Sequence, residues 1–183
     1  MSERFQRGFK AECEQLALET RAELGIKVGQ PLPAAALAAH LSIPILSIEE
    51  LAPFGASAKN IRTAQGAVSA FTVIRGSYRA IFYNAKHPAS RLANSVAHEL
   101  SHILLEHSPS VAVVDGRRAW DGKQEAEADW LAGTLLVPRN AALYWFKTGG
   151  SMAAGAAHFQ VSGALFRWRV NQTGVARQLG LGA

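Results

Sequence analysis

The chain has almost no cysteine. Cys13 is the only one in 183 residues, which excludes an internal disulfide, fits a reducing cytoplasm and rules out a Cys-rich structural zinc site. Any metal would have to be held by histidines and carboxylates. Long apolar runs are missing as well. No stretch approaches the roughly 18 apolar residues of a membrane span. The N-terminal "MSERFQRGFKAECEQLALETRAELG" mixes charges throughout and lacks the apolar centre of a signal peptide. The expected location is the cytoplasm, away from any membrane. Repeats, low-complexity tracts and a flexible linker are also absent, so the chain reads as a single domain. Acidic residues stop at Asp129: residues 1–129 hold 14 acids and 14 bases, and the remaining 54 residues hold five bases and no acid. A basic tail with Trp168 between Arg167 and Arg169 could meet nucleic acid. Five charges over 54 residues make a thin footprint, however, and a solvated face is the simpler reading.

What is present is a core. Hydrophobic residues make up 49% of the chain and charged residues 18%, the balance of a globular protein rather than a disordered one. Residues 3–24 have helical periodicity, with Phe5, Phe9, Leu16 and Leu24 recurring on one side and Gly25 as the stop. "PLPAAALAAHLSIPIL" reads as a short Ala-rich helix closed before Pro44, with 43–48 as a short strand. His40 on that helix is expected to be structural. "GAVSAFTVIRGSYRAIFYN" alternates and is rich in β-branched and aromatic residues. With a break at Gly76–Ser77, it forms a hairpin of 67–75 against 78–84. Pro88 then opens a helix over 89–106. A Gly- and Arg-rich loop leads to a second helix, "KQEAEADWLAGTLLV", with Asp121 as its candidate cap and Pro138 as its stop. Short helices over 139–148, 151–159 and 162–170 complete the chain. The expected fold is α+β: one mostly helical domain with a small β-hairpin sheet. It divides into N-terminal helices (1–60), the hairpin with two long helices (61–138) and a C-terminal helical segment (139–183).

Three of the six histidines fall within "SVAHELSHILLEH", residues 95–107. On a helix His98 and His102 stand one turn apart on the same face, where both imidazoles can bind one zinc ion. Glu99 lies at the edge of that face, placed to take a proton from a water at the metal. Val96, Leu100, Ile103 and Leu104 form the core side. At this chain's own His and Glu frequencies, chance would produce the pattern on the order of once in a hundred such chains. A catalytic site needs a third protein ligand and an open position. "EAEADWLA" offers Glu125, Glu127 and Asp129, which follow His102 by 23, 25 and 27 residues. Helical geometry turns Glu127 about 200° from Glu125, so only one of the two can face the metal. Acids near a helix N-terminus also have an ordinary electrostatic explanation. His107 is expected to be a surface residue at the helix end.

"FYNAKHPASRLANSVAHELSHILLEH" followed by "EAEADWLAGTLLVP" resembles the ImmA/IrrE family of zinc metallopeptidases. The resemblance rests on Asn84, Arg91, the motif from His98 to His102, and then Glu125, Ala128, Leu131, Ala132, Leu135, Leu136 and Pro138. The order of the upstream helices and hairpin, and "HFQVSGALFRWRVNQTGV" downstream, extend it over nearly the whole chain. Ser101 and Leu131 depart from the family's usual Gly and Phe, and neither is a ligand position. The resemblance implies a zincin-like site of the gluzincin type. Zn2+ would be bound by His98, His102 and Glu125, Asp129 would brace a histidine, and Glu99 would be the catalytic base and acid. It also implies an endopeptidase acting on a helix-turn-helix repressor supplied in trans. The alternative is a zinc-binding regulatory module that sequesters a repressor, or contacts DNA, without cutting. Tyr78, Tyr83, Arg91 and His107 are the candidates for stabilising an oxyanion.

Overall fold

A computed structural model describes residues 5–54, 58–75, 77–107 and 122–181. The expected break at Gly76, the Asp121 cap and most of the Gly- and Arg-rich loop lie outside these residues. The elements run α1 (Phe9–Glu23), α2 (Ala34–His40), β1 (Ile45–Ser47), a 3-10 helix (Ile48–Phe54), α3 (Ala58–Ala67), β2 (Ala70–Arg75) and β3 (Tyr78–Tyr83). They continue with α4 (Ala89–Leu104), α5 (Gly122–Leu136), α6 (Arg139–Lys147), α7 (Met152–His158), α8 (Gly163–Gln172) and α9 (Val175–Leu179). The α+β architecture is as expected, mostly helical around a small sheet. No described helix is long and apolar enough to cross a membrane.

The sheet has order β1-β3-β2. β2 and β3 form the antiparallel hairpin, with Thr72 opposite Ile81 and Phe71 opposite Phe82. β1 joins parallel to β3, with Ile45 opposite Ile81. The hairpin therefore has a third strand, and among the described residues β2 is an edge. Two boundaries differ from expectation. Helix α1 begins only at Phe9, because Gly8 takes a left-handed conformation (φ 97°) as its N-cap. Ala67, expected to open the hairpin, ends a helix, α3, and β2 starts only at Ala70.

Helix α4 lies against the sheet on one side and α5 on the other. Val96 and Leu100 enter a core shared with Phe9, Cys13, Leu37, Ile81, Leu131 and Leu135. A second core, around Leu136, Val137, Phe159, Phe166 and Val170, joins the end of α5 to the C-terminal helices. Arg169 is fully buried between them; its Nε donates to the Val137 carbonyl (3.0 Å) and its Nη2 to Glu14 Oε1 (2.5 Å). Trp168 packs edge-on against Trp130, with ring centroids 5.3 Å apart. Two members of the expected basic–aromatic stretch are thus internal, while Lys147, Arg167 and Arg177 are exposed. His40 binds Glu23 (3.0 Å), the structural role expected of it.

Candidate metal centre

Helix α4 has one apolar and one polar side. Burying Val96, Ala97 and Leu100 turns His98 and His102 together toward the N-terminal half of α5. α5 crosses so that Glu125 meets them. His98 Nε2 and His102 Nε2 are 3.1 Å apart, and Glu125 places one oxygen 3.3 Å from the first and the other 3.7 Å from the second. These donor atoms all lie within 4.8 Å of one another. A tetrahedral ion with bonds of about 2.0–2.2 Å requires ligand atoms about 3.3–3.6 Å apart, and the separations of 3.1, 3.3 and 3.7 Å bracket that range. Two imidazoles and a carboxylate also form a chemically ordinary set for a divalent ion, with the fourth position left to the cleft. The residues present fit a metal.

Asp129 lies one turn beyond Glu125 on α5, and its Oδ1 is 2.8 Å from His98 Nδ1. A carboxylate only accepts, so His98 carries a hydrogen on Nδ1, and Nε2 is the atom that would face a metal. Burial, the largest single influence on His98, favours the neutral ring. The Asp129 hydrogen bond and the charges of Asp129, Glu99 and Glu125 outweigh it and hold the pKa above the ordinary histidine value.

Glu99 is buried, 8% exposed, and accepts a 2.6 Å hydrogen bond from Thr72 Oγ1 on β2. An open cleft of about 750 Å³ lies between β2 and α4, lined in part by Thr72, Ile74, Arg79, Glu99, Glu106 and His107. Of the expected oxyanion candidates only His107 reaches it. Arg91 Nε donates to Ser69 Oγ (3.0 Å), Tyr83 packs against the core and Tyr78 is exposed. Asn84 is buried and ties the end of β3 to α3, its Nδ2 donating to the Gln65 carbonyl at 2.7 Å.

Two residues here were not singled out from the sequence, and a third was misplaced. Thr72 was detectable as the polar residue in the cleft-facing alternation Ala70, Thr72, Ile74. Arg79 gave no such signal. His107 is a correction: its side chain is only 8% exposed, and its Nδ1 lies 3.0 Å from His102 Nδ1. The chain turns back after Leu104 through Glu106, which adopts φ 52°, and this folds His107 against the helix instead of out into solvent. Glu127 does not reach the ligand cluster; its Oε2 is 3.3 Å from His107 Nε2.

No curated protein matches the chain. A family model does, over residues 54–171. That span runs from the end of the 3-10 helix through the sheet, α4 and α5 to α8, and so contains the whole of the His98–His102–Glu125 cluster. The match covers well over half of the sequence, and the chain belongs to the peptidase family described as the IrrE N-terminal-like domain.

Proposed function

We propose that this peptidase-family member is a zinc-dependent endopeptidase whose substrate is a helix-turn-helix repressor supplied in trans, acting in the cytoplasm. The observation that carries the reading is the convergence of His98 Nε2, His102 Nε2 and a Glu125 carboxylate beside a buried glutamate. His98, His102 and Glu125 would hold zinc, which when bound supplies a Lewis acid for the scissile carbonyl and acidifies a water. Glu99 would take that water's proton and return it to the departing amine. Thr72 occupies one Glu99 oxygen and so leaves the other for the proton. Asp129 would keep His98 in the ligating tautomer. Because β2 lines the cleft and is an edge strand among the described residues, an extended peptide could lie beside it and pair with its backbone. The choice of a repressor as substrate is supported by the resemblance to ImmA/IrrE peptidases alone.

The test combines metal analysis with cleavage. Wild-type protein should take up one zinc per chain, and Glu125→Ala should lose most of that affinity. Glu99→Gln should keep zinc and fold but leave a candidate repressor uncut. A Glu99→Gln protein that still cuts would refute the role of Glu99. A cellular response that survives Glu99→Gln would favour sequestration over proteolysis.

A further inference from the structure

His107 Nδ1 and His102 Nδ1 are 3.0 Å apart, with the two rings edge to face. Between two such nitrogens there is room for one hydrogen, so one ring donates and the other accepts. The far side of His107 decides which. Its Nε2 is 3.3 Å from Glu127 Oε2, and the other Glu127 oxygen is 3.7 Å from Lys123 Nζ. The carboxylate beside it favours a hydrogen on His107 Nε2, which leaves the lone pair at Nδ1. His102 must then carry its hydrogen on Nδ1. Its Nε2 is left as a lone pair, 3.1 Å from His98 Nε2.

We propose that His107 and Glu127 are positioning residues that lock His102 in its ligating tautomer. They act through a second ring as Asp129 acts directly on His98. The backbone is arranged to permit it. Glu106 sits in the left-handed region at φ 52°, a conformation that strains a non-glycine residue. This turn brings the His107 N–H onto the His102 carbonyl at 3.0 Å, and the ring follows. Each histidine of the pair is thereby held by a different carboxylate of α5. Glu127 has a function although it lies on the other side of the helix from Glu125.

The inference rests on the reading of His102 as a metal ligand, and the experiment separates the two. Histidine tautomers are read from long-range proton–nitrogen spectra of 15N-labelled, metal-free protein, and zinc affinity is measured by chelator competition. In wild type His102 should show the Nδ1–H tautomer. His107→Phe should shift it toward Nε2–H, the form favoured by a free ring, and weaken zinc binding about 10- to 100-fold. His107→Asn puts an amide oxygen where Nδ1 was and should recover most of that loss. Glu127→Ala tests the same relay from α5 without disturbing the turn and should act in the same direction. Wild-type His102 in the Nε2–H form would overturn the proposal. So would His107→Phe and Glu127→Ala proteins that keep both the tautomer and, within twofold, the affinity. Failure of the wild type to bind zinc would overturn the metal-site reading instead, and the metal-free spectra would still decide whether the lock exists.

Discussion

Thr72→Val is the sharpest probe of how Glu99 is held. The substitution is nearly isosteric, so it opens no cavity and changes only the hydroxyl that donates to Glu99 Oε2 at 2.6 Å. Glu99 is 8% exposed, so water cannot fully replace the lost donor. A hydrogen bond to a charged group contributes about 1.5–3 kcal/mol, and stranding a buried acceptor costs a similar amount. The expected loss of stability is therefore about 1.5–3 kcal/mol. For a protein of this size that is a fall in Tm of roughly 3–12 °C. A double-mutant cycle with Glu99→Leu isolates the interaction. Once the carboxylate is gone the Thr72 hydroxyl has lost its acceptor, so Thr72→Val should then be neutral or slightly stabilising. Urea unfolding of metal-free protein measures all four corners, and no substrate needs to be known. If Thr72→Val costs the same in both backgrounds, to within about 0.5 kcal/mol, the two side chains are not coupled and the account of Glu99 fails.

Two predictions concern the scaffold. Gly133 on α5 faces α8, where an added Cβ would lie 2.5 Å from Trp168 Cζ3 and 3.0 Å from Arg169 Cδ. Helix propensity favours Gly133→Ala by about 1 kcal/mol, but overpacking costs about 1–3 kcal/mol, and the Trp168 ring is backed by Trp130. The net effect should be a lower Tm, and a rise in thermal melts would show that α8 can yield. Burial pushes the Cys13 thiol up to about 12 from its ordinary 9.0. The folded protein should therefore resist alkylation at mildly alkaline pH. From pH 9 to 12 unfolding releases the thiol proton, so stability is fully present below 9 and falls above it, by at most about 1.4 kcal/mol per pH unit. Denaturation curves for Cys13→Ala should lack that part of the slope, and equal slopes would refute the argument.

Much of the scaffold could be read from the sequence because it is local. The α4 boundaries follow from Pro88 and strong apolar periodicity, the end of α5 from Pro138, and the hairpin from its alternation. The pairing of β1 with β3 could not be read this way, since Ile45 and Ile81 are 36 residues apart and no turn connects them. α3 was missed because its sequence, AKNIRTAQGA, is short and ends on a glycine and an alanine that also suit the start of a strand. Arg169 looked like one member of a basic tail. Its burial against Glu14 depends on α1 and α8 meeting, and no local pattern records that.

At the site, the same helical arithmetic gave one sound result and one incomplete one. Glu125 and Glu127 are about 200° apart around α5, so only one can face the histidine pair, and the structure brings Glu125 to it. It does not follow that Glu127 is spare. The second partner is not on α4 at all but on the turn after it, where Glu106 reverses the chain and returns His107 to the flank of His102. A wheel drawn for each helix cannot show a ligand brace that starts on a loop, crosses a second ring and ends on the neighbouring helix. "ILLEH" read alone therefore placed His107 in solvent. The geometry instead makes the two acidic positions of α5 complementary. One faces the site itself, and the other sets the hydrogen on a histidine that faces it, so substitutions at Glu125 and Glu127 should both weaken metal binding through different atoms.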